Sequence, residues 1–183
     1  LFGCAFALVR LIAERLGAGL PGQNAAIILF ALSSAALNFL PGRIDHHNLV
    51  LVLILCGFAA LLSPKLSARS GLIAALSLVA SVSVAIESLP YAGALILSFG
   101  LFWIARGHIE GVRLAVFGVS LAIFAAAFYA FDAPGVGSRR MVCDAYGTSH
   151  FGTFIGGGLL LSALGVVGGW LDEWGKRLAA GVF

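Results

Sequence analysis

Apolar residues run along this chain in seven blocks, at residues 1–14, 23–40, 48–63, 71–88, 90–105, 113–131 and 149–170. Turn-forming residues separate most of them: Gly17, Gly19, Pro21 and Gly22; Pro41-Gly42; Ser63-Pro64; and Asp132-Ala133-Pro134-Gly135. The boundary at Leu89-Pro90 has little polar sequence around it, and either a tight surface turn or a re-entrant hairpin satisfies it. A helix needs roughly 20 residues to cross the hydrocarbon core. Several blocks are shorter and are expected to extend into flanking Gly, Ser and Pro positions. The pattern predicts an all-α, polytopic transmembrane helix bundle of about six to seven spans. Its 24 glycines are spread through the blocks, which favours close helix approach and a compact bundle.

Composition agrees with the pattern. The chain is 61% hydrophobic and 10% charged, with a mean hydropathy of +1.06. A soluble domain is about 45–50% apolar and about 25% charged. Leu1 lies inside an apolar run with no charged n-region or small-residue cleavage site, so the start does not read as a signal peptide. Residues 1–183 are expected to be a single transmembrane domain, a fragment of a longer chain whose missing parts are among its partners. Cys4, Cys56 and Cys143 lack CxxC spacing and suggest neither a disulfide framework nor a thiolate metal site. Residues 171–183, with Trp170 and Trp174 near their start, read as a short amphipathic segment at the membrane interface.

Lys and Arg set the sidedness. If each block crosses once and the Asp45 loop faces outward, then Arg10, Arg15, Lys65, Arg69, Arg106, Arg113, Lys176 and Arg177 lie inside, and Arg43, Arg139 and Arg140 lie outside. That asymmetry follows the positive-inside rule, and the reverse orientation would invert it. The expected location is a bacterial inner (plasma) membrane, with the Asp45 loop non-cytoplasmic. Asp45, Glu87, Asp132, Asp144, His46, His47 and His150 then gather at the outer face, although none was used to set the orientation.

The chemistry is concentrated in Pro41-Gly42-Arg43-Ile44-Asp45-His46-His47-Asn48, where four charged or titratable groups fall within five residues. Ionisable groups in a membrane chain mark functional sites by default. Carboxylate and imidazole bind divalent cations, and in an extended loop the i, i+2 pair Asp45 and His47 points to one side. A solvated loop with Asp45 and Asn48 as N-cap oxygens is an equally good account of the spacing. Two ligands do not complete a site, and Glu87, near the outer end of an apolar block, is the best source of a third; pairing with Arg43 or service as a base are its other options. Arg139-Arg140 match phosphate geometry but read equally well as a solvated pair. There is no HExxH, Walker loop or GxSxG elbow. The Asp-His-His triplet of soluble phosphoesterases needs an α/β framework that this pattern does not offer.

Gly42-Arg43-Ile44-Asp45-His46-His47-Asn48-Leu49, with Glu87-Ser88-Leu89-Pro90-Tyr91, resembles the polytopic GT-C glycosyltransferases that use lipid-linked sugars. The likeness is closest to the membrane part of the oligosaccharyltransferase catalytic subunit, which carries Asp-His-His-x-x-Glu in an external loop. The resemblance implies Asp45 and His47 as ligands of a divalent cation, Mg²⁺ or Mn²⁺. It further implies Asp45 and Glu87 as catalytic groups, and Arg43, His46, Asn48 and Tyr91 as contacts to the donor and its phosphate. The Glu of the pattern falls on Val50, so its role is vacant or taken by Glu87. The family's first acidic motif and its soluble C-terminal domain have no counterpart here. The implied partners are the bilayer and a lipid-linked sugar donor, and no nucleic acid. From a different class, an ion- or proton-coupled transporter would use Asp45, His46, His47 and Glu87 as a relay, and a non-catalytic structural membrane subunit is a third reading.

Overall fold

The computed structural model describes residues 1–40, 46–132, 146–171 and 173–182, and among these every regular element is helical. Eight α-helices follow one another: α1 (Phe2–Arg15), α2 (Leu20–Leu32), α3 (His46–Leu61), α4 (Ala68–Val84), α5 (Leu89–Arg106), α6 (Gly111–Asp132), α7 (Thr148–Val167) and α8 (Trp174–Val182). Short 3-10 turns occupy Ser34–Phe39, Ile86–Ser88, Gly107–Glu110 and Gly168–Trp170.

The helices alternate in direction between two ends. Gly17, at φ +87°, turns α1 back into α2. Gly107, at φ +67°, closes the α5–α6 connection, and Phe99 and Phe117, equally far from His108, stack at 4.2 Å. Both glycines adopt a backbone region that side chains disfavour. The α3–α4 turn, the ends of α1, α5 and α7, and the start of α6 share one end of the bundle. The start of α3, the α4–α5 turn and the start of α7 share the other, where Tyr129 of α6 meets Thr148 of α7 at 3.1 Å.

Length separates the helices. At 1.5 Å per residue a span of roughly 30 Å needs about 20 residues. Two helical stretches are long and apolar enough to cross a membrane: Ile86–Phe131, 46 residues interrupted at Gly107, and Thr148–Val167, 20 residues. That is fewer than the six to seven crossings expected. The apolar helices Leu20–Leu32, His46–Leu61 and Ala68–Val84 are shorter. Block 23–40 is cut at Ser33, whose backbone is extended and whose hydroxyl donates to the Phe30 carbonyl at 2.7 Å, a side-chain bond that competes with helix. Block 71–88 is cut at Ala85, also extended.

The boundary expected at Leu89-Pro90 is instead a helix start: α5 begins at Leu89 with proline in its first turn, where the missing N–H costs no bond. Helix α5 continues to the far end of the bundle, where Trp103 lies against Gly168.

The core between the ends is apolar, built on Val79, Val82, Phe99, Trp103, Phe117 and Leu121. Glycines set the closest approach. A Cβ on Gly165 would lie 2.6 Å from the Gly111 carbonyl, and one on Gly158 would lie 2.6 Å from that of Gly118. Gly71 likewise brings α4 onto α6: a Cβ there would lie 2.5 Å from the Arg113 carbonyl. Large apolar side chains also face outward, among them Leu29, Leu32, Ile123, Leu159 and Val166.

The far end is tied by guanidinium groups. Arg113, fully buried, donates to the Leu61 carbonyl at 2.7 Å and pairs with buried Glu110 at 2.6 Å. Arg106 reaches the same carboxylate at 3.0 Å. Arg177 of α8 donates to the Ile104 and Leu171 carbonyls at 2.9 and 2.7 Å. Cations here satisfy helix C-terminal carbonyls that have no partner within the helix.

Candidate metal centre

The end opposite the arginines carries a compact polar cluster. His46 and His47 open α3, their rings stacked at 4.3 Å, while Glu87 sits in the 3-10 turn between α4 and α5. Glu87 Oε1 lies 2.5 Å from His47 Nε2 and 3.8 Å from His46 Nε2. One donor atom from each of the three falls within 4.8 Å of the others, which makes them a set able to hold a metal ion. The sequence separates Glu87 from the histidines by a whole helical hairpin, and the antiparallel return of α4 alongside α3 closes that gap.

The distances test the fit. Two donors sharing an ion at about 2.1 Å each, at a tetrahedral angle, sit about 3.4 Å apart. The His47–Glu87 pair is closer than that and the His46–Glu87 pair wider, and with the three donors spread over as much as 4.8 Å, shifts of about 1–1.5 Å reach the bound geometry. All three side chains are 41–58% exposed. Two imidazoles and a carboxylate suit Mn²⁺ or Zn²⁺ better than Mg²⁺, which prefers oxygen ligands. Glu87 also faces the N-terminal turn of α3, whose dipole attracts anions. That dipole opposes a cation, so the carboxylate is the group that makes the set viable.

Beside the cluster is a cavity of about 330 Å³, lined by Ala35, Asn38, His47, Val50, Leu51, Ile54, Glu87, Ser88 and Tyr91. Its floor is aliphatic and its mouth polar. Ser88 Oγ is buried and has no hydrogen-bond partner among the described residues.

Of the residues singled out in the sequence, the structure brings together His46, His47, Glu87 and Tyr91. Asn48 lies on α3 beside them but does not line the cavity. Arg43 and Asp45, and the Arg139-Arg140 pair, lie outside the described residues. His47 stands on a helix and not in an extended loop, so the i, i+2 geometry does not carry over to it. His150 accepts the Gly147 N–H through Nδ1 at 3.3 Å, a helix-end role. Sequence reasoning missed Asn38 and Ser88; Asn38 is the one amide within block 23–40 beyond its first turn, and that isolation was the available signal. Comparison with known proteins returns no matching family model, no matching curated protein and no matching solved structure.

Proposed function

We propose that the chain is the membrane part of a GT-C-type glycosyltransferase, transferring a sugar from a polyprenyl-phosphate-type donor at the non-cytoplasmic face of a bacterial inner membrane. The observation that carries the reading is the convergence of His46, His47 and Glu87 at the mouth of an aliphatic cavity. A lipid-linked phosphate needs that combination, with apolar walls for the first isoprene units and cation-binding groups at the rim. The outward-facing apolar side chains favour a bilayer surrounding. The shorter helices α2, α3 and α4 then lie in the membrane too, with polar turns filling the interfacial layers. Trp170 and Trp174, both exposed, flank the start of α8 at headgroup level.

His47 and Glu87, with Asp45 as the resemblance implies, would hold the divalent cation. That ion supplies positive charge beside the departing phosphate oxygen. The acceptor oxygen or nitrogen forms a bond to the anomeric carbon as the carbon–phosphate-oxygen bond breaks, its electron pair leaving with the phosphate. One Glu87 oxygen faces His47, and the other is available to take the acceptor proton. Val50, where the family pattern has Glu, lines the same cavity as Glu87, so a carboxylate reaches that position from another segment. Tyr91, beside Glu87 on the cavity, offers a hydroxyl to the phosphate or sugar, and Arg43 and His46 are further contacts to the donor.

A transmembrane relay is less well supported. The core between the two ends is formed by Val79, Val82, Phe99, Phe117 and Leu121, with no titratable chain linking them among the described residues.

The test is linkage between metal and donor. Mn²⁺ is titrated into the solubilised chain with and without polyprenyl phosphate. Shared contacts require each ligand to raise the affinity of the other by the same factor, here expected to exceed ten. Mn²⁺ binding that is indifferent to the lipid phosphate sinks the donor assignment, and unchanged binding in His47→Ala sinks the site.

A further inference from the structure

A second cavity, of about 360 Å³, opens at the end of the bundle opposite the histidines. Arg15, Lys65 and Arg69 line it together with Ser63, Ser67 and Ser70 from the α3–α4 connection, and Leu8, Leu11 and Ile73 form its apolar side. No acidic residue lines it; Glu14, the nearest along the chain to Arg15, lines a neighbouring cavity that Arg15 and Ser63 share. Arg15 is anchored through the Ala59 carbonyl, which fixes one cation at the rim. Lys65 and Arg69 are exposed and make no ion pair among the described residues. Three cations on one cavity repel one another, an arrangement that an anion relieves.

The remaining basic groups at this end differ. Arg113 and Arg106 share the Glu110 carboxylate, Lys176 pairs with Glu173, and Arg177 donates to the Ile104 and Leu171 carbonyls. Arg15, Lys65 and Arg69 are gathered instead on one cavity at the α3–α4 connection. The cavity is small-molecule sized, polar at the rim and aliphatic towards the middle of the bundle.

We infer that this cavity binds one anionic phospholipid, its phosphate between Arg15, Lys65 and Arg69 and its acyl chain along Leu8, Leu11 and Ile73. The assignment rests on the membrane reading above but not on the glycosyltransferase chemistry. Basic pockets between membrane helices on the cytoplasmic side are the sites where anionic headgroups settle, each nearby Lys or Arg contributing about 1 kcal/mol. The lipid would tie α1 to the α3–α4 turn, two segments otherwise joined at this end by the Arg15–Ala59 bond.

The experiment is native mass spectrometry of the full chain in detergent, titrated with phosphatidylglycerol or with phosphatidylcholine of the same acyl chains. Phosphatidylglycerol is expected to bind at least ten-fold more tightly. Lys65→Gln and Arg69→Gln should each weaken it about five-fold, the factor matching about 1 kcal/mol, and the pair about 25-fold. Both side chains are exposed, so folding is preserved, and an unchanged Tm verifies it. Equal affinity for the two lipids, or a preference untouched in the double variant, overturns the inference. Displacement by inorganic phosphate at matching concentration also overturns it, because the site would then be for a free anion. Alkaline extraction of cell membranes separates the two layers of the argument. A chain that leaves the membrane removes the membrane reading and this site with it, whereas a chain that stays but shows no anionic preference removes this site alone.

Discussion

Replacing Glu87 with glutamine separates a metal-binding role from a structural one. The His47 and Glu87 side chains are 41% and 58% exposed, so water screens their attraction. At that exposure the Coulomb energy is about 1 kcal/mol, and immobilising two side chains offsets most of it. The expected loss of stability is therefore below about 1 kcal/mol, a Tm shift of at most about 4 °C for a chain of this size. Metal affinity responds on a different scale. Removing a partner that merely orients a ligand already weakens binding by about 10–100-fold. Glu87 is the one carboxylate in the described donor set, facing a helix dipole that opposes the cation. Glutamine should thus lower Mn²⁺ affinity at least about 100-fold, or about 2.8 kcal/mol.

The assay is a titration of the solubilised protein, following free Mn²⁺ by electron paramagnetic resonance, with thermal unfolding on the same samples. Glu87→Asp, which keeps the charge on a shorter arm, should recover part of the affinity. Wild-type binding that falls less than three-fold in Glu87→Gln would refute the donor assignment. A Tm drop of 10 °C or more would show instead that the pair serves the fold.

Acidification should weaken Mn²⁺ binding reversibly, because protons compete for the same imidazole nitrogens; pH-independent binding would place the ion elsewhere. Gly165→Ala puts a methyl 2.6 Å from the Gly111 carbonyl and the Ala115 nitrogen, and should destabilise the fold by about 1–3 kcal/mol in an unfolding titration. Gly100→Ala, with nothing within 4 Å of its Cβ, should be neutral or stabilising by up to about 1 kcal/mol. Glu110→Gln leaves the buried Arg113 charge uncompensated and should cost about 3 kcal/mol or more, while adding Arg113→Met should recover much of that loss. In a cysteine-free background, Ser149→Cys should react with an impermeant maleimide in intact cells, and Ser67→Cys only after permeabilisation; the reverse pattern would invert the orientation.

The fold was legible where its signals are local. The turns at Gly17 and after Ser63 lie where glycine, proline and serine cluster. Helix α5 shows the limit: Pro90 marks the start of a helix as readily as the end of one, and the real interruption is Ala85, whose extended backbone no alanine announces. Ser33 interrupts block 23–40 in the same unannounced way, which is why fewer helices reach membrane length than the apolar count suggested. The basic residues pointed to one end of the bundle, but their individual work was not legible. That Arg113 caps Leu61 and Arg177 caps Ile104 depends on carbonyls 52 and 73 positions away.

The candidate site was legible because titratable side chains are scarce in this chain, so His46, His47 and Glu87 could be singled out without knowing how they meet. Their meeting depends on the Ala85–Leu89 turn. Helix α4 stops at Val84, Ala85 extends the chain, and a single 3-10 turn carries Glu87 back over the first turn of α3 before Pro90 restarts the helix. Had α4 run on unbroken to Ser88, Glu87 would have continued along its axis, about 1.5 Å further per residue, instead of folding back over the histidines. The same turn buries Ser88, whose hydroxyl has no partner among the described residues. The break in α4 therefore sets the Glu87 carboxylate facing imidazoles from a separate helix. Ile86 and Leu89, on either side of Glu87 and Ser88, pack against the apolar core, so the core itself holds the turn that presents Glu87 to the histidines.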